Sequence, residues 1–418
     1  MSVDTPARIA ILGAGPIGLE AALYARFLGY DVDLYERGRV CEHLHQWAHV
    51  RLFTPAGMNR TSLGVAALRA QEPDLVLPPE DALQTTGELL DSYLLPLAHS
   101  DLLVDNLHLQ TEVLSIGREG LLKGERIGDD ERADFPFRIL IRQPDGQEAI
   151  HTADVVIDAT GTYGNHNWLG DGGIPALGEL NAQSHIDYGL PNIFGGAEEE
   201  YAGKHTLVVG AGYSAATNVL ALAALAAQAD GTRVTWVTRR AQQPPEAPPI
   251  DCIAEDPLAE RERVALAANH VARHSEAVAY RPGTTVAAVQ TADVGEGFVV
   301  QLQGAHAGEL HVDRVIANVG YRPDSRIYQE LQVHECYATS GPMQLAKALL
   351  AHRAADCLDQ PSAGAAALLT PEPNFYILGS KSYGRTNRFL LAAGHKQIRH
   401  LFTLIGDREG LNLYQSVG

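Results

Sequence analysis

Two glycine-rich turns, about two hundred residues apart, constrain the fold of this chain more than any other feature. The first occupies residues 13–18 (GAGPIG) after an apolar run, and the second occupies residues 210–215 (GAGYSA) after another. At a strand-to-helix junction the first glycine permits a tight bend, and the second lets the backbone approach a pyrophosphate. The N-terminus of the following helix then faces that negative charge. Two such turns predict that the chain holds two dinucleotides at once, an arrangement that serves to pass a hydride from a nicotinamide to a flavin.

The residues that follow the two turns differ in charge. After the first turn come a predicted helix and a strand over 31–35 that ends in Glu36, where a carboxylate accepts hydrogen bonds from ribose hydroxyls. After the second turn, the corresponding strand over 233–238 ends in Arg239 and Arg240. An arginine pair suits the 2′-phosphate of NADP, which a carboxylate would repel. The second site is therefore predicted to prefer NADPH to NADH.

The composition predicts a protein that binds neither nucleic acid nor a membrane. The chain has 418 residues, and 45% of them are hydrophobic. No apolar run reaches the roughly 18 residues expected of a membrane span. Residues 1–6 lack the basic and apolar segments of a secretory signal. The formal net charge of −19 disfavours nucleic acid and anionic membranes as partners.

The spacing of the cysteines and histidines predicts neither a dithiol centre nor a metal site. The cysteines are Cys41, Cys252, Cys336 and Cys357. None of them forms a C-x-x-C pair, and this pattern favours a reduced, cytoplasmic compartment. His45 and His49 lie four residues apart near His43, but Glu42 is the one nearby carboxylate. No ligand set is complete, so no metal is predicted.

Hydrophobic patterning and turn residues predict the remaining elements. Thr86 is the expected N-cap of a helix, and the last helix is expected over 387–405. The turn after the buried strand 154–157 is echoed by residues 313–320, which is the nearest approach to an internal repeat. The other expected elements are a strand over 107–116, a hairpin over 137–142 and 148–151, a connection between domains over 170–203, an exposed Pro-rich loop over 242–257 and a strand over 374–378.

With these elements in this order, the chain resembles the flavoproteins that carry two dinucleotide-binding domains. That superfamily includes thioredoxin reductases, glutathione-reductase-like enzymes and flavin-containing monooxygenases. The resemblance covers nearly the whole chain and rests on both glycine turns, the turns at 159–161 and 318–324, and the late run 377–379. It implies an α/β fold with two Rossmann-like domains of the three-layer ββα type. The implied domains are an FAD-binding domain of residues 1–200 and 325–418, split by an inserted NADPH-binding domain of residues 201–324.

The resemblance leaves several branches of this superfamily to compare. The cysteine spacing excludes the dithiol branches. A single-cysteine branch has its redox cysteine a few residues beyond the first acid, near the position of Cys41. That branch also carries about a hundred residues after the late strand, the size of a domain, whereas 38 residues follow Ser380 here. Trp47 and the run 178–215 are similar to features of flavin-containing and Baeyer–Villiger monooxygenases, so the monooxygenase branch is favoured.

A monooxygenase of this kind uses NADPH to reduce FAD, and oxygen then adds to the reduced flavin. The resulting peroxyflavin hydroxylates nitrogen, sulfur or carbon of a small molecule, so the expected partners are a small-molecule substrate and oxygen. One alternative is an NADPH-dependent flavin reductase or oxidase that passes electrons to another acceptor. Another is a flavin-loaded redox sensor without turnover.

The candidate site residues follow from the motifs and from the resemblance. The catalytic candidates are Trp47, Arg51, Asn59, His166 and Asn387. Arg51 would orient an anionic substrate or stabilise the developing peroxide, or it would form a salt bridge within the FAD domain. Ser380 stands where the superfamily normally has the aspartate that binds the ribityl chain. The expected cofactor-binding residues are Gly13, Gly15, Pro16, Ile17, Gly18, Glu36, Arg37, Val113, Ala159, Thr160, Gly161, Gly210, Gly212, Tyr213, Ser214, Ala215, Arg239, Arg240, Gly320, Gly379 and Ser380.

Overall fold

The computed structural model describes residues 3–244, 247–292, 297–351, 357–358 and 363–416. The chain divides into two units. The first comprises Met1–His45, Thr54–Asn165 and Tyr321–Gly418, and the second comprises Gln46–Phe53 and His166–Gly320. The first unit is therefore discontinuous in sequence, with the second unit inserted into it.

Strands and helices alternate along much of the described chain, as expected of an α/β protein. The strands are β1 (Arg8–Leu12), β2 (Asp31–Tyr35), β3 (Leu107–His108), β4 (Glu112–Arg118), β5 (Phe137–Arg142), β6 (Glu148–Ala153), β7 (Val155–Asp158), β8 (His205–Val209), β9 (Arg233–Thr238), β10 (Val278–Pro282), β11 (Thr284–Thr291), β12 (Phe298–Gly304), β13 (Gly308–Val312), β14 (Arg314–Ala317) and β15 (Phe375–Ile377). The helices are α1 (Pro16–Phe27), α2 (Glu42–His45), α3 (Ala56–Asn59), α4 (Ser62–Gln71), α5 (Thr86–Leu89), α6 (Leu95–Ala98), α7 (Glu179–Ala182), α8 (Glu198–Tyr201), α9 (Tyr213–Ala226), α10 (Ala259–His274), α11 (Met343–Ala351), α12 (Leu391–Ile405) and α13 (Leu413–Ser416). None of the helices in the described residues has the length and apolar character needed to cross a membrane.

The first unit is built on a parallel sheet with strand order β15-β7-β1-β2-β3. β1 is apolar because it lies between two neighbouring strands in the middle of this sheet. Leu12, the last residue of β1, pairs in register with Tyr35 of β2 and with Asp158 of β7. The carboxyl ends of three strands therefore meet at the first glycine turn. A separate antiparallel sheet, β4-β5-β6, shares its core with this sheet through Ile116 and Ile139.

The second unit repeats this plan. Its parallel sheet has strand order β10-β9-β8-β14, and its separate antiparallel sheet is β11-β12-β13. In both units the first strand lies centrally, with the second strand on one side and the strand that follows the antiparallel sheet on the other. The sequence echo between residues 158–161 and 317–320 therefore marks equivalent positions in a structural repeat.

Two helix boundaries differ from the predictions. The N-cap before α5 is Thr85 rather than Thr86, since the Thr85 hydroxyl accepts a hydrogen bond from the Glu88 amide at 3.1 Å. The Glu88 carboxylate in turn accepts from the Thr85 amide at 2.7 Å, which completes a capping box. The last helix begins at Leu391, so Asn387 lies in the exposed loop before it.

Two other segments also differ from their predicted form. The strand predicted over 107–116 is two strands, because the backbone turns at Gln110 (φ 52°) and the two pieces enter different sheets. In the Pro-rich segment 242–257, residues 245–246 lie outside the described residues. The buried Ile250 anchors this segment, since its amide donates to the Asn269 side chain at 2.9 Å.

The Gly- and Pro-rich segment 170–203, predicted to connect domains, lies within the second unit. It is organised around Glu179, whose side chain is fully buried. The Glu179 carboxylate accepts hydrogen bonds from the amides of Leu169 and Ala176 at 2.9 and 2.7 Å, and from the Tyr188 hydroxyl at 2.8 Å. Three donors thus satisfy the buried carboxyl group and fix the loop around it, and regular structure in this segment is limited to short helices such as α7 and α8.

A buried charge cluster joins the antiparallel sheet of the first unit to the segment before β15. The side chains of Arg118, Arg132 and Glu372 are all inaccessible to solvent. Arg118 Nε donates to Glu372 at 2.8 Å, and an Arg132 amino group donates to the other carboxylate oxygen at 3.0 Å. Other nitrogens of the same two guanidinium groups donate to backbone carbonyls, including those of Phe135 and Glu125.

Replacing Glu372 with glutamine should destabilise the protein strongly. The substitution leaves two buried guanidinium groups without a counter-charge, which costs about 3–5 kcal/mol for a broken buried pair. Glu131→Gln is the matched control, because it breaks an exposed pair with Arg126 that contributes at most about 1 kcal/mol. Urea unfolding measures both free energies, and equal losses in the two variants would contradict the role assigned to Glu372.

A second buried carboxyl lies in α1, directly after the first glycine turn. Glu20 is 1% exposed, and it accepts hydrogen bonds from the hydroxyls of Thr61 at 2.8 Å and Tyr93 at 3.3 Å. The hydroxyl of Tyr414, in α13, is buried beside it without a hydrogen bond of good geometry. Burial raises the pKa of Glu20 to about 7, although the hydroxyls act in the opposite direction.

The free energy of unfolding should therefore fall as the pH rises from about 4.5 to about 7. In that range the folded protein holds a proton on Glu20 that the unfolded chain has released, so ionisation costs about 3 kcal/mol in total at this group. The substitution Glu20→Gln should remove this part of the pH dependence. Unfolding curves at pH 5, 6, 7 and 8 test it, and an unchanged slope in the variant would refute the assignment.

Candidate dinucleotide-binding sites

The first glycine turn leaves an opening at the carboxyl edge of its sheet. Gly13 has a φ of 94°, and a Cβ there would lie 2.9 Å from the carbonyl oxygen of Ala159. A Cβ at Gly18 would overlap the carbonyl oxygen of Gly13. Gly15, by contrast, has extended backbone, and a Cβ there would meet no atom within 4 Å. Two glycines thus permit the close packing, and the third lies beside open space.

Glu36 lies against this turn, as its position after β2 predicted. One carboxylate oxygen accepts a hydrogen bond from the Ala14 amide at 3.0 Å, and the other accepts from the Gly38 amide at 2.8 Å. Each oxygen keeps a second lone pair. The carboxylate therefore fixes the turn and can still accept hydrogen bonds from ribose hydroxyls.

The turns after β7 and β15 meet the first glycine turn. A Cβ at Gly379 would lie 3.4 Å from Ile17, and one at Gly161 would lie 3.6 Å from the Ser380 hydroxyl. The cofactor-binding residues predicted in these three turns are therefore brought together in the first unit: Gly13, Gly15, Pro16, Ile17, Gly18, Ala159, Thr160, Gly161, Gly379 and Ser380. Val113 lies on β4, and Thr111, two residues earlier, donates its amide to the carbonyl of Glu36 at 2.9 Å.

A buried ion pair supports these turns, and sequence reasoning missed it. Lys381 is 1% exposed, and its ammonium lies 2.5 Å from the carboxylate of Asp158 and 3.0 Å from the hydroxyl of Thr160. The same carboxylate accepts from the amide and the hydroxyl of Thr160 at 3.0 and 2.7 Å. The available signal was a lysine directly after the small residues that end an apolar strand.

The second glycine turn has the same construction. Gly210 has a φ of 147°, and a Cβ there would collide with the carbonyl oxygen of Asn318. A Cβ at Gly212 would meet nothing within 4 Å, so an opening precedes α9 here as well. The buried indole of Trp236 donates to the Gly210 carbonyl at 2.8 Å and holds the turn.

The other predicted residues of the second site surround this turn. Arg239 and Arg240 are exposed and follow directly after β9. The side-chain amide of Asn318, the residue after β14, donates its nitrogen to the Gly189 carbonyl at 2.7 Å, and its oxygen accepts from the Asn218 side chain of α9 at 2.8 Å. Tyr213, Ser214 and Ala215 form the first turn of α9, and the Gly320 carbonyl accepts from the Asn167 amide at 2.9 Å.

The catalytic candidates are divided between the two units. Trp47, Arg51 and His166 belong to the second unit, whereas Asn59 and Asn387 belong to the first. They are therefore not gathered within either unit as one cluster.

Two of these candidates have their polar atoms bonded locally. The Asn59 amide nitrogen donates to the carbonyls of Thr54 and Pro55 at 3.1 and 3.2 Å, and its oxygen accepts from the Thr54 hydroxyl at 2.7 Å. His166 stacks on Tyr188 with ring centroids 3.5 Å apart. Its Nδ1 lies 2.7 Å from the Asn167 carbonyl, and its Nε2 lies 2.9 Å from the side-chain amide of Gln183.

Cys41 lies directly behind the first glycine turn. Its Sγ is 3.5 Å from the Ala14 carbonyl oxygen, and the residue is 2% exposed. Burial, with the charge of Glu36, raises the pKa of this thiol far above its usual range. The thiol is therefore protonated and inaccessible at neutral pH.

The histidines near Cys41 bond to other groups. His43 Nε2 lies 3.4 Å from an amino group of Arg37, and His45 Nε2 lies 3.1 Å from the Val40 carbonyl. Across the described residues, no three His, Cys, Asp or Glu side chains come together as a metal site.

Solved structures share the fold of this chain along nearly its whole length. Bacillithiol disulfide reductase Bdr (YpdA) from Bacillus cereus is 18% identical in sequence, with a TM-score of 0.66. The similarity covers 96% of this chain and 99% of that one. The cadaverine monooxygenase DfoA from Erwinia amylovora, bound to FAD, is 12% identical, with a TM-score of 0.64 and coverage of 97% and 96%. The ornithine N-hydroxylase KtzI from Kutzneria sp. 744, in complex with reduced FAD, NADP⁺ and L-ornithine, is 13% identical, with a TM-score of 0.61 and coverage of 97% and 100%.

The sequence itself matches no protein-family model and no curated protein. The structural similarity establishes the fold, which this chain shares with these three proteins. The predicted fold class, two Rossmann-like units with the first split by the second, is confirmed.

Proposed function

We propose that this protein is an FAD- and NADPH-dependent oxidoreductase. The observation that carries the proposal is the pair of open glycine turns, at Gly15 and Gly212, each followed directly by a helix N-terminus. Proteins of the same fold include enzymes solved with FAD and with NADP⁺. In this proposal the first unit is the FAD-binding domain, and the second unit is the NADPH-binding domain.

The residues of the first unit fit an FAD molecule. The opening at Gly15 admits the pyrophosphate, and the Glu36 carboxylate accepts hydrogen bonds from the ribose hydroxyls. Thr160 and Ser380 are the polar side chains assigned to the ribityl chain. The ammonium group of Lys381 donates a hydrogen bond to the Thr160 hydroxyl and so fixes its position. Arg37 and Val113 are assigned to the adenosine end. FAD, when bound, supplies two-electron chemistry with a nicotinamide and with oxygen.

The residues of the second unit fit NADPH. Gly210 and Gly212 shape the turn that receives the pyrophosphate, and Tyr213 begins the helix behind it. Arg239 and Arg240 supply exposed positive charge for the 2′-phosphate. Arginine matches a phosphate with two parallel hydrogen bonds, which makes these residues the basis of the preference for NADPH.

We further propose that the reaction is the hydroxylation of nitrogen, sulfur or carbon in a small molecule, with oxygen as the second substrate. The state of Cys41 supports this choice, since a protonated, buried thiol is unsuited to attack a disulfide. Two of the proteins that share the fold are a cadaverine monooxygenase and an ornithine N-hydroxylase.

The catalytic candidates differ in whether their side chains already make hydrogen bonds within the protein. Asn59 and His166 are positioning residues in this proposal, because the polar atoms of both side chains bond to neighbouring groups. Asn387 is exposed and makes no hydrogen bond within the described residues, so its amide is available to a substrate or cofactor. Trp47 is assigned as an aromatic wall of the site, and Arg51 as a group that recognises an anion.

A reductase that passes electrons to another acceptor is the second candidate. It is favoured by the structural similarity to bacillithiol disulfide reductases from two species. Such an enzyme would have to reduce its acceptor without Cys41. A flavin-loaded redox sensor is a third possibility, which rapid bleaching of the flavin by NADPH would eliminate.

Oxygenation predicts a specific change in the products when substrate is present. The purified protein, supplied with NADPH in air, should release hydrogen peroxide in proportion to the NADPH consumed. A substrate among small amines and thioethers should lower the peroxide yield well below the NADPH consumed, because oxygen enters the product instead. Peroxide that stays stoichiometric with every compound tested would indicate an oxidase.

The substitution Cys41→Ala provides the control for thiol chemistry. NADPH oxidation and product formation should remain within about twofold of the wild type, because this thiol has no role in the proposed reaction. Loss of turnover in a variant that still binds flavin would favour the reductase.

A pair of glycine variants tests the FAD assignment. Gly15→Ala should fold with nearly unchanged thermal stability, because the added Cβ meets no atom within 4 Å, and it should lose most of the bound flavin by filling the pyrophosphate space. Gly18→Ala should be strongly destabilised, since its Cβ overlaps the backbone of Gly13. Gly117→Ala, at another open glycine, should keep both stability and flavin. Full flavin content in folded Gly15→Ala would refute the assignment.

A further inference from the structure

Residues 46–53 link two parts of the first unit in sequence, yet they pack within the second unit. The Phe53 ring meets the Tyr213 ring edge-on, with centroids 5.2 Å apart and an interplanar angle of 72°. The His49 ring lies beside the backbone of Pro191. The Gly189 carbonyl, two residues before Pro191, accepts from Asn318 beside the second glycine turn. The segment is therefore attached next to that turn.

The sheet topology places these contacts at the edge of the second unit that binds ligands. β8, β9, β10 and β14 are parallel, so the helices that follow β8 and β9 both begin at the carboxyl edge. Tyr213 is the first residue of α9, and Glu260 lies in the first turn of α10. Ligands of open α/β sheets bind outside the carboxyl ends of the strands. The segment 46–53 thus runs along the dinucleotide edge.

Arg51 brings an exposed positive charge to this edge. Hydrogen bonding to Arg263 lowers the pKa of Glu260 most, and the charge of Arg51 lowers it further, which locates Arg51 near the start of α10. Arg263 already holds the Glu260 carboxylate with two hydrogen bonds, at 2.8 and 2.7 Å. Within the described residues, Arg51 itself has no carboxylate within 4 Å. Its guanidinium is therefore free to bind an anion from solution.

We propose that Arg51 binds a phosphate group of the NADPH molecule held by the second unit, so that residues 46–53 complete this site. The inference rests on the proposed function, because it requires NADPH to bind outside the Gly210–Gly212 turn. Arg51 then joins Arg239 and Arg240 as a third exposed guanidinium on the same edge, in keeping with a ligand that carries a pyrophosphate and a 2′-phosphate. The ring contact of Phe53 with Tyr213 holds the segment on one side of Arg51, and His49 lies beside Pro191 on the other.

Titration calorimetry of the flavin-loaded protein with NADP⁺ and with NAD⁺ tests the proposal. The substitution Arg51→Met should weaken NADP⁺ binding by about tenfold or more, as the loss of a charge-assisted hydrogen bond to phosphate predicts. A similar loss for NAD⁺ identifies the pyrophosphate as the partner, whereas a loss confined to NADP⁺ identifies the 2′-phosphate. Arg51→Lys should recover part of the affinity, because it keeps the charge without the bidentate geometry.

Arg233→Met is the matched control. Arg233 is also an exposed arginine of the second unit, but it begins β9 and therefore lies at the opposite edge of the sheet. This variant should bind NADP⁺ as the wild type does, and all variants should keep their flavin and melting temperature. Wild-type affinity in Arg51→Met would overturn the inference and leave the proposed function intact. Failure of the wild-type protein to bind either nucleotide would overturn both.

Discussion

The close approach of α1 to β1 is the constraint on which the first unit depends. Side chains at Gly13 or Gly18 would meet backbone atoms, so the crossing of strand and helix admits only glycine at these positions. The N-terminus of α1 has no side-chain cap, and the helix cannot move away from the strand without opening the core. Its first N–H groups consequently face the open space at Gly15, and an anion placed there satisfies them. The opening assigned to the pyrophosphate is therefore a direct consequence of how the core packs.

The Asp158–Lys381 pair extends this constraint to the part of the chain that returns after the second unit. The two residues are 223 positions apart, and both are buried at the ends of neighbouring parallel strands. Removing either one would leave an uncompensated charge in the core, so the turns after β7 and β15 are held in register. In the superfamily that the chain resembles, an aspartate follows the glycine of the late strand, whereas here Ser380 and Lys381 occupy this turn. Lys381 secures Thr160 instead, through a hydrogen bond of 3.0 Å.

Local signals accounted for what could be predicted from the sequence. Glycine turns, strand lengths and the charged residue after each second strand all depend on neighbouring residues, and they located Glu36 and Arg239 at strand ends. Long-range partners could not be predicted in this way, since nothing near Glu372 indicates that Arg118, 254 residues earlier, shares its pocket. The unit to which residues 46–53 belong could not be predicted for a related reason. Their composition is compatible with either unit, and only the fold assigns them to the second. The sequence could not decide which of the two adjacent threonines, Thr85 or Thr86, is the N-cap of α5, and the hydrogen bonds of the structure show that it is Thr85.

The distribution of charge explains how a strongly acidic chain can bind a polyanionic ligand. At a formal net charge of −19, long-range electrostatics oppose the approach of NADPH, so attraction must arise within a few ångströms of the site. The second unit supplies it in two forms, the N-terminus of α9 and exposed arginines after β9. At the first turn the charge pattern is different, because Glu36 bonds to the backbone of the turn itself, and the proposed function assigns it to ribose hydroxyls rather than to phosphate. Under the proposed function, two copies of one backbone design would acquire different nucleotide preferences through the few side chains that follow the second strand of each sheet.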